Sequence, residues 1–180
     1  LDLQGCPVGT VLDPNEPDQS LEEQYFSAWA NPLTAPQRWR MASCYRVVED
    51  EGRPVLEHID KTDRCLVAGE PLWANYAVEA EIRQLNAFSQ PSNDDPHAAV
   101  ARSGLLLRYQ DLRRYYFLCL EGFERIVLYR REDEAWTMLA DSFNGIDRGR
   151  YYRLQALCEA ERISCYLDGE PLFVAYDERF

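Results

Sequence analysis

The chain has 180 residues, 46% of them hydrophobic and 28% charged, with a formal net charge of −12. That length supports one domain with a sizeable core. No apolar run is long enough to span a membrane, and the acidic balance excludes a nucleic-acid backbone, whose phosphates need a basic face. The balance also argues against strongly acidic polysaccharides held by bulk electrostatics, while leaving room for a local arginine cluster; solubility is the ordinary reading of such a charge. Lys61 is the only lysine, so nearly every cation is an arginine able to make a planar, two-pronged contact. The chain opens at Leu1 without a signal-peptide pattern, as one with a processed leader or an upstream domain would.

Residues 1–20 are rich in Pro, Asp, Asn and Gly and read as an irregular arm or linker. A domain is expected over 21–180. Ser20 and Glu23 form a capping-box pattern ahead of Tyr25, Phe26 and Trp29, which predicts a short helical segment near 21–30, closed by Asn31-Pro32. From Trp39 the pattern becomes strand, turn, strand. Strands are predicted at Arg40 to Val48, Val55 to Ile59 and Arg64 to Ala68. Tyr76, Val78, Ala80 and Ile82 alternate with Ala77, Glu79, Glu81 and Arg83, the period of a half-buried strand. A polar loop covers Asn86 to His97. Further strands follow around Leu105, Phe117, Arg125 to Arg131, Ala135 to Ala140, Tyr151 to Cys158, Arg162 to Leu167 and Pro171 to Tyr176, the last pair joined by an Asp168-Gly169 hairpin turn. About ten short strands with regular turns and almost no helix predict an all-β sandwich or barrel. Leu105–Leu107 and Phe117–Leu120 are apolar on both faces, as in a central strand whose outer face is a covered cleft.

Six cysteines are present, and six allow fifteen pairings. Cys119, inside an apolar strand, reads as a buried thiol. Cys158 and Cys165 flank a tight turn and could face each other across a hairpin; Cys44 and Cys65 are another pair, and Cys6 completes the set. No C-x-x-C occurs, and the only histidines, His58 and His97, are isolated, so the spacing does not suggest zinc.

The hairpin Ser103 to Leu120 concentrates the chemistry. Arg108 near a strand end, Asp111 in the turn, and Tyr109, Tyr115 and Tyr116 around them suit sugar hydroxyls, because Arg and Asp supply fixed donors and acceptors and aromatic faces cover sugar C–H surfaces. The same residues also suit an Arg–Asp turn contact with core tyrosines, and a one-residue slip in the turn exchanges which tyrosine shares a face with Arg108. Trp73, Trp136, Tyr151 and Tyr152 are the other aromatic candidates, each also suited to a core. No phosphate-cradling glycine loop, Gly-x-Ser-x-Gly elbow or nucleophile–base pair is recognisable.

The run Trp73-x-x-Tyr76-x-Val78-x-Ala80-x-Ile82-Arg83, then Ser103-Gly104-Leu105-Leu106-Leu107-Arg108-Tyr109, Tyr115-Tyr116, Trp136, Leu139-Ala140, Tyr152-x-Leu154 and Ile163-x-Cys165-Tyr166-Leu167-Asp168-Gly169 resembles the concanavalin A-like lectin/glucanase superfamily. Within it, laminin-G-like modules and 3-keto-disaccharide hydrolase-type domains are the nearest in pattern, over roughly residues 39 to 176. The resemblance implies a two-sheet antiparallel jelly-roll sandwich with a concave sheet, often a carbohydrate-binding module of a larger, multidomain carbohydrate-active protein. It implies an extracellular or periplasmic setting and an oligo- or polysaccharide partner. It places Glu79, Glu81 and Arg83 as a row across the concave sheet, where they join Arg108, Asp111, Tyr115 and Tyr116 as ligand-binding candidates; the row equally suits a solvated strand face. It also suggests a structural calcium, for which Asp60, Asp63, Asp168, Asp177 and Glu178 supply oxygen ligands.

Two departures matter. Glucanases of this superfamily carry a Glu-x-Asp-x-x-Glu strand, and Glu79-Ala80-Glu81-Ile82-Arg83-Gln84 lacks its middle Asp and last Glu. Residues two apart on a strand stand about 7 Å apart on one side of a substrate, whereas glycosidase carboxylates flank the bond. Members also finish with a Gly-rich strand beyond the Asp-Gly hairpin; here it is either supplied from elsewhere or missing. A binding module without catalysis is therefore the first expectation. A hydrolase or lyase-type enzyme resembling the 3-keto-disaccharide hydrolases, and a protein–protein adhesion module, are the alternatives.

Overall fold

A computed structural model describes residues 45–58, 73–86 and 100–180. The expected N-terminal arm, the helical segment near 21–30, the Arg64 to Ala68 strand, Cys6, Cys44, Cys65, His97, Asp60 and Asp63 lie outside the described residues. The chain divides into two compact units, Leu1–Glu70 and Pro71–Phe180.

In the first unit, β1 (Tyr45–Asp50) and β2 (Arg53–His58) form an antiparallel hairpin. Glu51 and Gly52 both take positive φ at its turn, the two-residue geometry that matches strand twist.

The second unit is an all-β sandwich. Its strands are β3 (Tyr76–Arg83), β4 (Arg102–Asp111), β5 (Arg114–Glu121), β6 (Arg125–Glu132), β7 (Ala135–Ser142), β8 (Tyr151–Glu159), β9 (Arg162–Leu167) and β10 (Glu170–Tyr176). They build two four-stranded antiparallel sheets, ordered β10-β9-β8-β3 and β4-β5-β6-β7. The expectation of a two-sheet antiparallel sandwich is met. The sheets do not close into a barrel: β3 lies beside β4 and β7 beside β10 without joining their ladders. β3 pairs with β8 although four strands intervene, so the chain leaves one sheet, builds the whole of the other and returns. No helix of the described residues is long and apolar enough to cross a membrane.

Period-two alternation turns one face of each sheet inward. Leu105, Leu107, Tyr116, Leu118, Leu120, Ile126 and Leu128 of one sheet pack against Tyr152, Leu154, Ala156, Cys158, Ile163, Cys165 and Ala175 of the other. Tyr76, Val78, Ala80 and Ile82 complete the core from β3. Asp168 (φ 53) and Gly169 (φ 89) make the predicted β9–β10 turn; the left-handed backbone at both positions favours Asp and Gly. Gly104 has a different reason. A Cβ there would lie 1.9 Å from the Leu118 carbonyl oxygen and 2.6 Å from the Cys119 Cα, so only glycine lets β4 approach β5.

The β4–β5 hairpin differs from a plain alternation. Leu107 pairs with Tyr116 and Asp111 with Arg114, leaving Arg108, Tyr109 and Gln110 against Tyr115 alone. This bulge puts Arg108 at φ 47 and settles the tyrosine ambiguity: Tyr116 faces the core, and Tyr115 faces out with Tyr109.

Cys119 is a buried free thiol, as expected, but Cys158 and Cys165 are free as well. Cys158 lies opposite Ile163 and Cys165 opposite Ala156, so the two are diagonal rather than facing, and a disulfide needs a closer, directed geometry. Burial raises all three thiols, Cys165 to about 12.

Candidate functional site

The outer face of the β4–β7 sheet carries an unusual amount of aromatic and charged chemistry. Register places Phe117 opposite Tyr129, Tyr115 opposite Arg131, Trp136 opposite Arg131 and Met138 opposite Tyr129, so these side chains share one face. Cys119, Val127 and Tyr129 are buried there, with Phe117 packed on them. That second apolar layer is why the central strands read as apolar on both sides. Trp136 caps it and stays 39% exposed. Its ring centroid lies 5.8 Å from Tyr129 and 5.9 Å from Tyr115, both edge to face, and 6.5 Å from Phe117. Tyr109 stacks on Tyr115 at 5.9 Å.

Two arginines frame the rings. The Arg102 guanidinium sits 5.0 Å over Tyr129 and 5.9 Å over Trp136; that of Arg131 sits 5.1 Å over Trp136 and 5.9 Å over Tyr115. Beneath them Glu121, its side chain 5% exposed, accepts hydrogen bonds from Arg102 Nε at 2.7 Å, Arg125 Nε at 2.6 Å and Tyr129 Oη at 2.7 Å. Burial alone would raise the Glu121 carboxyl, but the Tyr129, Arg102 and Arg125 donors outweigh it and hold it below the ordinary carboxylate value. Burial, with the bond to Glu121, pushes the Tyr129 phenol up to about 12, so it remains a donor. The result is a rigid face: a semi-exposed indole, supporting rings locked by a buried carboxylate, and guanidinium edges at the rim.

The expected ligand residues separate. Tyr115 belongs to this face. Tyr116 is fully buried and donates its hydroxyl to Asp177 Oδ1 at 2.7 Å. Arg108 is a clamp: its guanidinium donates to the carbonyls of Phe180, at 3.0 Å, and Ala160, while its backbone N–H donates to Tyr76 Oη at 2.6 Å. Asp111 caps its own turn, accepting from the Arg113 N–H at 2.7 Å. Glu79, Glu81 and Arg83 do share one face, on the outer side of the other sheet, where their cross-strand partners are Gln155, Arg153 and Tyr151. The Arg83 guanidinium lies 4.8 Å over the Tyr151 ring. Glu79 and Glu81 are exposed.

Of the calcium candidates in described residues, Asp168 accepts from the Arg153 N–H at 2.9 Å and pairs with Arg150 at 2.6 Å. Asp177 holds Tyr116 and the Arg179 N–H through Oδ1 and Arg130 through Oδ2 at 2.5 Å. No group of three His, Cys, Asp or Glu side chains that would hold a metal gathers among the described residues. Open depressions of about 550 Å³ around Arg150, Tyr152 and Asp168, and about 450 Å³ around Arg130, Tyr176 and Asp177, each include one of these ion pairs in their lining.

The sequence reading singled out Trp136 and Tyr115 but not Arg102, Phe117, Glu121, Tyr129 or Arg131. The alternation Arg125-x-Val127-x-Tyr129-x-Arg131 carries the signal, once Tyr115 is known to point outward.

No family model matches the sequence, and no curated protein matches it. Among solved structures the chain is similar to the carbohydrate-binding module CBM66 from Bacillus subtilis, with a TM-score of 0.50 and 20% identity, over 60% of this chain and 62% of that one. At that identity the likeness is one of fold: a β-sandwich shared over part of both chains.

Proposed function

We propose that the protein is a non-catalytic carbohydrate-binding module whose glycan lies along the outer face of the β4–β7 sheet. The observation that carries this reading is Trp136, an indole 39% exposed and braced by Tyr115, Tyr129 and Phe117 between two guanidinium groups. An aromatic ring covers the C–H face of a sugar, and fixed donors at its rim take the hydroxyls. Similarity in fold to a module named for carbohydrate binding supports the class of partner. Tyr115, Arg102 and Arg131 join Trp136 as ligand-binding residues. Arg108 and Tyr116 serve the C-terminal segment, and Glu79, Glu81 and Arg83 form a separate row on the other sheet.

An enzymatic role has less support. Glu79 and Glu81 approach any substrate from one side of an edge strand, with Gln155 and Arg153 across from them, and a glycosidic bond needs its two acids on opposite flanks. The binding reading places the protein within a larger carbohydrate-active assembly outside the cytoplasm. The three described cysteines, all free, do not bear on that setting.

A glycan array followed by affinity electrophoresis tests the proposal. Trp136→Ala should weaken binding about tenfold while leaving the circular dichroism of the fold unchanged. Absence of binding to any glycan, or undiminished binding by the variant, would overturn it.

A further inference from the structure

Charge on the aromatic face is not balanced. Arg102 and Arg125 both pair with Glu121, and Arg125 also reaches Asp141 at 3.5 Å, so two cations meet two carboxylates. Arg131 is different. Its Nε–H points to the Asp133 carbonyl at 3.4 Å and its Nη1 donates to Tyr115 Oη at 3.2 Å. The acids nearest in sequence are engaged elsewhere: Asp133 with Arg114 at 3.6 Å, Glu134 with Arg113 at 3.6 Å, and Glu132 with Arg130 at 3.8 Å and Arg179 at 3.5 Å. Among the described residues no carboxylate pairs with Arg131. Among the described residues nothing accepts from its Nη2, so one end of the guanidinium beside Trp136 keeps donors to spare while a phenol and a backbone carbonyl hold the group in place.

We infer that the glycan bound on this face carries a carboxylate, as a uronic-acid sugar does, and that Arg131 receives it. The inference rests on the binding proposal and deepens it. A planar guanidinium edge matches the two oxygens of a carboxylate, and the charge-assisted pair is stronger than a contact to a neutral hydroxyl. Neighbouring rings exclude water from one side of that contact and so strengthen it. The net charge of −12 repels a dense polyanion at range, but that repulsion is screened beyond about 8 Å at physiological salt. Each further carboxylate held within that distance of the acidic surface still adds repulsion, so the fitting ligand is a short acidic oligosaccharide rather than a long polyanion.

Calorimetric titration with a galacturonic acid trisaccharide and its carboxyl-reduced counterpart provides the test. The acidic form should bind about tenfold more tightly. Arg131→Gln should abolish that preference, and Trp136→Ala should weaken both ligands alike. Equal affinity of the wild-type protein for the two forms overturns the assignment of a carboxylate while leaving carbohydrate binding intact. Binding of neither form, nor of any neutral glycan, overturns both readings.

Discussion

The two sheets have similar inner faces and very different outer ones. Outside β3 and β8–β10, Glu79, Glu81 and Arg153 are exposed, and removing or reversing a charge there touches little packing. Outside β4–β7, a second buried layer of Cys119, Val127 and Tyr129, with Phe117 packed on it, lies under Trp136, and Glu121 is sunk among two arginines and a tyrosine. A solvated strand face costs nothing to keep. A buried carboxylate and a braced indole are costly to build, since each polar group must find a partner away from water. That contrast is the physical ground for the binding face proposed on β4–β7, while the sequence expectation places the site on the Arg108 hairpin and the Glu79 row.

The contrast can be broken in order of expected effect. Gly104→Ala should destabilise by ~3 kcal/mol or more, because its Cβ meets backbone that cannot move aside; denaturant unfolding measures this, and a near-neutral result would mean that β4 and β5 are not so close.

Glu121→Gln should cost about 2 kcal/mol, since it weakens hydrogen bonds to Arg102, Arg125 and Tyr129. It also carries a pH signature. The folded-state value of Glu121 is lowered, so its contribution is complete above the unfolded value of about 4.3 and disappears as pH falls through the lowered value. Wild type and variant should thus differ most near neutrality and converge in acid. A constant gap across pH would show that Glu121 is not held ionised by this network.

Arg108→Gln should lower stability by about 1–2 kcal/mol through loss of the Phe180 and Ala160 contacts, with glycan affinity unchanged. Lost affinity with normal stability would return the site to the hairpin.

The smallest effect is expected from Glu79→Gln combined with Glu81→Gln: within about 0.5 kcal/mol in stability and no change in binding. If binding fails here, the functional face is that of β3 and β8–β10.

Strand positions, the Asp168-Gly169 turn and the buried Cys119 were legible in the sequence because period, turn chemistry and apolar runs are local properties. Apolar character on both sides of Phe117–Leu120 even pointed to a covered outer face. Register was not legible. Three residues bulging against Tyr115 turned Arg108 toward the carbonyls of Ala160 and Phe180 and divided Tyr115 from Tyr116, and no residue type announces a bulge of that size. The same limit explains the free thiols: Cys158 and Cys165 flank one turn, yet its register sets them diagonally.

By itself, then, the sequence determined an acidic all-β sandwich with aromatic and arginine side chains in its central strands, because burial and alternation act over a few neighbouring residues. Only the tertiary structure decided that Arg102, Tyr115, Glu121, Tyr129, Arg131 and Trp136, drawn from four strands, meet on one face. Cross-strand register, set by turns and bulges summed along the whole sheet, makes that choice.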